Sequence, residues 1–306
     1  MNRSRRFQTT YDVKVPDFPR SAKEINVWIP FPRSTIDQEI HAIDIQSNID
    51  YKIEYDSTYG NAVLCATLDT SKTSLIDLVI TTTATRHEHT TDFQRFAEVP
   101  NSSWQLHHQP QLLPNRLIQF TADILGIARS IKEQHVTAID IAKAAYDHVL
   151  EHMQYDKSGD GWGSGDADFA CSIGKGNCTD FHSLFLAIIR ACGVPGQFEI
   201  GMAFPTGMSG GDITAFKCGY HCWTSFYAHG IGWVPVDCSE AAQKTDLRDY
   251  YFGAIDENRF LLSYGRDLLL PGRKIDDPVN FFTDPIIETE SGRAVYYEKK
   301  LSFTDV

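Results

Sequence analysis

Residues 174–196 read GKGNCTDFHSLFLAIIRACGVPG. Phe181, Leu184, Phe185, Ile188 and Cys192 recur at spacings of three and four, which marks one face of a helix. Gly193 and then Pro195 follow in the order in which helices stop. The spacing predicts a helix from about residue 177 to 192. Cys178 falls in its first turn, three residues before Phe181, and so shares the buried face. The partial positive charge of a helix N-terminus favours a thiolate over a thiol. Gly174 and Gly176 just upstream leave room for close backbone approach, as a substrate carbonyl would require. A cysteine at a helix start is otherwise a small core residue, so chemistry requires partners for it.

Residues 219–237, GYHCWTSFYAHGIGWVPVD, offer those partners on two strands around a turn. His221, Trp223, Ser225 and Tyr227 alternate with Cys222, Thr224 and Phe226, and Trp233 to Asp237 follow the turn. A three-residue loop, Ala228-His229-Gly230, puts Gly230 at the left-handed position. Tyr227 then faces Ile231, and His221 lies opposite Asp237 with Cβ atoms about 5 Å apart. A two-residue loop, His229-Gly230, puts Cys222 opposite Asp237 instead. A thiolate nucleophile needs a base that takes and returns its proton, and the base needs a third group to orient it. Cys178, His221 and Asp237 are the residue types for those three roles. The Cys178 backbone N–H, at a helix start, is a natural oxyanion donor. The indole N–H of Trp162, in the loop ahead of the cysteine, is the candidate for a second; its plain alternative is a packed loop aromatic.

With these residues in hand, the chain resembles a known family. GNCTDF (176–181), GYHCW (219–223) and GWVPVD (232–237), in that order, resemble the transglutaminase-like superfamily. YFG (251–253) and Asn258-Arg259 are similar to its bacterial members described as cysteine proteases. The resemblance covers most of residues 115–290, and the N-terminal strands more loosely resemble the β domain that precedes this core in bacterial members. It implies a papain-like α+β core with Cys178 as nucleophile, His221 as base and Asp237 as orienter. It leaves open whether the reaction is that of proteases, amidases, cross-linking transferases or inactive relatives.

Other readings compete for the same residues. Cys218, His221 and Cys222 form C-x-x-H-C, a zinc pattern that would need Cys178 or Cys238. Its second knuckle pair is missing, and on a strand His221 points away from the two cysteines. His182, one turn after Cys178, is an alternative base, without an orienting third group on the helix. Asp156, Ser158, Asp160 and Gly161 mimic the first half of a calcium loop, but Ala167 stands where a bidentate Glu is needed. Arg86 to His89 read as a metal cluster or as a polar strand end. Asp180 reads as a helix-dipole partner, and Cys192 and Cys238 as packing.

The chain has 306 residues, enough for about two domains and a core that needs no disulfides. With 28 basic and 40 acidic residues its formal charge is −12. That argues against nucleic-acid and anionic-membrane partners. Seven cysteines, an odd number, argue for reduced thiols and a cytoplasmic setting. Arg3, Arg5 and Arg6 precede no apolar segment, so no targeting signal is expected. Period-two runs at Tyr11/Val13/Val15, Ile25/Val27/Ile29 and Tyr51/Ile53/Tyr55 predict a β-sandwich over residues 1–97. Residues 98–114, rich in Pro, His and Gln, read as a connector in which His107 and His108 face solvent. Helical stripes at 117–131 and 141–153, the latter capped by Thr137, open the core.

The expected fold class is thus α+β. An N-terminal β-sandwich precedes a papain-like core over residues 115–306, whose nucleophile-bearing helix packs on an antiparallel sheet and whose C-terminus is strand-rich. The expected chemistry is thiol-dependent acyl transfer from a peptide or protein amide through a thioester, with water as acceptor and no cofactor or metal. Transfer to an amine and a non-catalytic peptide-binding module are the alternatives.

Overall fold

The computed structural model describes residues 3–94, 108–205, 219–275 and 277–306. The chain divides into two compact units. One holds residues 1–87, 200–220 and 257–306, the other residues 88–199 and 221–256. The first unit begins with β1 (Ser4–Val15), β2 (Glu24–Phe31), β3 (Gln38–Ser47), β4 (Lys52–Tyr55), β5 (Ala62–Asp69) and β6 (Ile76–His87). The second unit carries β7 (His89–Thr90), α1 (Gln109–Leu112), α2 (Ala122–Gln134), α3 (Ala138–His152), β8 (Gln154–Tyr155), α4 (Ala167–Ile173), β9 (Lys175–Gly176) and α5 (Cys178–Ala191). β10 (Gly196–Ala203) leads out of it into the first unit. β11 (Tyr220–Ala228), β12 (Gly232–Val236), α6 (Cys238–Gln243) and β13 (Ala254–Ile255) complete the second unit. The chain ends in the first unit with β14 (Arg259–Tyr264), β15 (Ile286–Thr289) and β16 (Glu298–Asp305).

The first unit is built on two four-stranded antiparallel sheets, ordered β16-β1-β6-β3 and β15-β2-β5-β4. The alternating residues of the sequence supply one shared hydrophobic cluster. Phe7, Tyr11, Val13 and Val15 of β1 join Ile25, Val27 and Ile29 of β2 and Leu64, Ala66 and Leu68 of β5. Two sheets closed on one core are the sandwich arrangement. The third expected run differs. Ile53 packs against the cluster, but Tyr51 is 40% and Tyr55 65% exposed, because β4 is the edge of its sheet with no further strand to cover it.

The expected boundary that assigns 115–306 to one core also differs. β15 pairs with β2 (Ile287 opposite Val27) and β16 with β1 (Leu301 opposite Tyr11), so the C-terminal strands complete the N-terminal sheets. Period-two alternation shows that 298–305 is a strand, with Leu301 and Phe303 inward. It does not show which strand it pairs with. Residues 98–107 of the expected connector lie outside the described residues, His107 among them. His108 is not solvent-facing. Its ring packs against Tyr227 and Trp233, with centroids 4.5 and 5.3 Å away.

In the second unit α5 is buried all round. Every residue from Cys178 to Arg190 is buried, polar ones included. The helix packs among α2, α3, α4 and α6 and against the start of β10, where a Cβ on Gly196 would strike Leu186 and Ile189. The expected amphipathic stripe is therefore one face of a central helix. Thr137 caps α3 as expected, accepting from Asp140 N–H at 3.1 Å. Leu117 and Phe120 precede α2, whose buried residues are Ile124, Ala128 and Ile131. Helix α4, capped by Asp166, occupies a stretch with no helical pattern long enough to read.

Candidate active site

The site forms where the start of α5 meets β11 and the residue after β12. Asn177 caps α5, and Asp180 reaches back to the Asn177 N–H at 2.9 Å, closing a capping box. The same Asp180 carboxylate accepts from Gly163 N–H at 2.7 Å and Gly165 N–H at 3.0 Å. One fully buried side chain thus ties the glycine-rich loop to the helix start. Burial pushes the Asp180 carboxyl up and the neighbouring Cys178 adds to this, against the three N–H donors. Gly176 makes the fold-back possible, since a Cβ there would collide with the Asp180 carboxylate. Gly174, at φ 69°, ends α4.

The hairpin register differs from both expected ones. Thr224 faces Val236 and Ala228 faces Gly232, so the loop is His229-Gly230-Ile231. Ile231 N–H donates to Ala228 O at 3.1 Å, and Gly230 takes φ 87° at the third turn position, where type II turns need a positive φ. This shift puts Trp223, not His221, opposite the Asp237 position. His221 is then the diagonal neighbour on the same face, still within reach of a long side chain. The contact survives: His221 Nε2 lies 2.7 Å from Asp237 Oδ2. Asp237 itself ends the strand and caps α6, its Oδ1 accepting from Glu240 N–H at 2.9 Å and the Ser239 hydroxyl at 3.0 Å.

Cys178 is 3% exposed and His221 8%. The Cys178 thiol is held well below the ordinary thiol range. A hydrogen bond from the Cys222 side chain contributes most; the His221 hydrogen bond and charge and the Cys222 backbone add to it, and together they outweigh burial. Burial pushes the Asp237 carboxyl up, but the His221 charge and the His221 hydrogen bond bring it well below the usual carboxylate range. With Nε2 of His221 on Asp237, Nδ1 is the nitrogen left for the thiol. Burial and Asp237 push the Cys238 thiol up, which fits its expected packing role.

His182 lies deeper than its expected helix-to-loop role. Its Nε2 accepts from Cys238 N–H at 3.1 Å, and its Nδ1 lies 3.3 Å from Cys222 Sγ. Nε2 is also 3.4 Å from Asp237 Oδ1. The shorter N–H bond needs a lone pair on Nε2, so the ring is neutral with its proton on Nδ1. Behind the histidine strand, Glu199 accepts from Trp223 Nε1 at 2.8 Å and from Ser225 Oγ at 2.7 Å. Trp223 in turn stacks on His221 with ring centroids 6.2 Å apart. Nothing in the local sequence pattern pointed to Glu199 or to the His182–Cys222 contact. The Asp180 box was readable in the Asn177-x-x-Asp180 spacing.

The indole of Trp162, the expected second oxyanion donor, is turned to its own loop. Its N–H is bonded to Gly159 O at 3.0 Å, three residues back. In the expected calcium half-loop, Lys175 Nζ sits 3.0 Å from Ser158 O and 3.5 Å from Asp156 Oδ2, so these oxygens already face a cation. Cys218 of the zinc pattern lies outside the described residues. Among the described residues no cluster of three or more His, Cys, Asp or Glu is arranged to hold a metal, Arg86 to His89 included. Glu88 there accepts from the Tyr250 hydroxyl at 2.8 Å.

Comparison with known proteins places this core. An uncharacterized protein of Haemophilus influenzae is 26% identical over 315 residues, 92% of this chain and 85% of its own length. The crystal structure of a "Putative Cysteine Protease from Cytophaga hutchinsonii" covers 99% of this chain and 98% of its own at a TM-score of 0.60 and 18% identity, a likeness of fold. The periplasmic domain of TgpA from Pseudomonas aeruginosa covers 78% and 89% at a TM-score of 0.40 and 10% identity, too distant for any argument. Residues 126–238 match the model of the transglutaminase-like superfamily, a span that runs from within α2 to the residue after Asp237. Residues 126–238, in an α+β fold, are thus similar to a transglutaminase-like core, and Cys178, His221 and Asp237 fall in that order within the matched span.

Proposed function

We propose that the second unit is a thiol-dependent enzyme that hydrolyses amide bonds of peptides or proteins, with Cys178 as nucleophile, His221 as base and acid, and Asp237 as orienter. The observation that carries this reading is the 2.7 Å contact of His221 Nε2 with Asp237 Oδ2, on a histidine that also hydrogen-bonds Cys178 at the first turn of α5. The superfamily match and the fold shared with the Cytophaga hutchinsonii structure support it. The Cys178 thiolate attacks the amide carbonyl carbon, and the C–S bond forms as the oxygen becomes an oxyanion. The Cys178 backbone N–H, one of the first helical N–H groups without an intrahelical acceptor, is the donor for that oxyanion. His221 Nδ1 gives its proton to the nitrogen, the C–N bond breaks and the amine leaves. His221 then takes a proton from water, whose oxygen displaces sulfur and releases the acid. Asp237 stabilises the imidazolium that opens and closes the cycle. No cofactor enters these steps. A cytoplasmic setting keeps Cys178 reduced, and the six cysteines among the described residues are all free.

Digestion of a peptide library, with products read by mass spectrometry, tests this function. New termini that disappear in Cys178→Ala support hydrolysis. Incorporation of an added amine in place of water would make the protein a transferase. Absence of either product in the presence of an alkylatable Cys178 would overturn catalysis and leave a binding module.

A further inference from the structure

Cys222 has no part in the cycle above, yet it is fully buried against the nucleophile and held by a second histidine. His182 comes from the same helix as Cys178, one turn on. Its Nε2 is fixed as an acceptor by the Cys238 N–H, which forces the ring proton onto Nδ1, toward Cys222 Sγ at 3.3 Å. A thiol that accepts from an imidazole N–H has its own S–H left to donate. The group within reach is the Cys178 sulfur, with which Cys222 is hydrogen-bonded. Proton by proton, the line runs from the α6 backbone through His182 and Cys222 to Cys178.

We infer that Cys222 is a positioning residue for Cys178: its S–H, aimed by neutral His182, holds the Cys178 sulfur as a second donor beside His221. The inference rests on the nucleophile reading above. A thiolate with one partner is free to swing about its Cα–Cβ bond; with two donors its lone pairs are aimed and its charge is shared. The remaining charged and titratable groups around it are few. Asp180 lies on its own helix and feels the Cys178 charge, Asp237 lies against His221 and His182, and Cys238 and Tyr146 of α3 lie beside Asp237. Asp180 is acidic and disfavours a thiolate, and burial does the same. Donors from His221 and Cys222 are what offset them.

The test is the pH dependence of iodoacetamide alkylation at Cys178, mapped by mass spectrometry, in the wild type, Cys222→Ala and Cys222→Ser. The readout requires no substrate. The expected result is a raised alkylation midpoint in Cys222→Ala. Below the midpoint, Cys178 then reacts about tenfold more slowly at a given pH for every pH unit by which the midpoint rises. Cys222→Ser, which keeps an O–H donor, should recover most of the rate. A midpoint that Cys222→Ala does not move overturns the inference, as does an equal rise in Ala and Ser, which would mean that only packing matters. Should Cys222→Ala not fold, Cys222→Val fills the space without a donor and is read by the same outcomes. A depressed wild-type midpoint indifferent to position 222 removes this inference and leaves the nucleophile reading standing. An ordinary wild-type midpoint removes both.

Discussion

Strand β1 and helix α5 are inner elements of the two units, and they are buried in opposite ways. In β1 every second residue from Phe7 to Val15 is buried, all apolar except Thr9, and the intervening residues face outward. In α5 burial is continuous, and it takes in Asp180, His182, Ser183 and Arg190 with Cys178. Apolar burial is favourable in itself. Polar burial costs free energy unless each group finds a partner. In α5 the partners are specific: three backbone N–H groups for Asp180, Cys238 N–H and Cys222 for His182, and the carbonyls of Gly196 and Leu113 for Arg190. Changes along β1 should therefore be read in stability, and changes along α5 in the reactivity of one thiol.

The largest effect tests the reactive side of that contrast. Cys178→Ala should lower peptide hydrolysis by about 10⁴-fold or more and leave the melting temperature nearly unchanged; a modest loss would mean that another group does the chemistry. Next comes the apolar side. Phe7 makes edge contacts with Phe204 and Phe260 at 4.7 and 5.6 Å. Phe7→Ala should cost about 3–5 kcal/mol in denaturant unfolding, while in folded protein the Cys178 alkylation midpoint stays put. A moved midpoint would break the separation between the two kinds of burial.

Asp237→Asn sharpens the contrast with a pH signature. The folded value of Asp237 lies below the unfolded value of about 3.9. Its ion pair therefore stabilises the fold fully above that pH, and the stabilisation is lost as pH falls through the folded value. The variant should be about 2 kcal/mol less stable near neutrality, and the gap should close in acid. Unfolding curves at several pH values check this, and a gap that persists in acid would refute the ion pair. The smallest effect is that of Trp162→Phe. Its indole N–H serves only its own loop, so hydrolysis should change by no more than about twofold. A hundredfold loss would restore Trp162 as an oxyanion donor.

The parts legible in the sequence were those set by local physics. The stop signal at Gly193 and Pro195, the stripe through Phe181 and Ile188, and the Thr137 cap each depend on neighbours within a few residues, and α5 and α3 lie where these put them. The hairpin register was not legible, because His229-Gly230 suits several loop lengths and only the packing of both faces chooses among them. The His221–Asp237 contact tolerated the error because a diagonal pair reaches nearly as far as a direct one. The pairing of β16 with β1 joins residues nearly a chain length apart, where alternation carries no information on partners. His182 looked unsupported on its helix because its orienting contacts come from β11 and α6.

The central claim is that Cys178 is an activated thiol held by His221 and Asp237. The rate of iodoacetamide alkylation at Cys178 across pH, in the wild type and in His221→Ala, tests it most directly. A wild-type midpoint well below the ordinary thiol value of about 8.5, raised toward that value in His221→Ala, with the other cysteines reacting more slowly, is the predicted result. A Cys178 that titrates at the ordinary value, or a depressed midpoint that His221→Ala leaves in place, would contradict it.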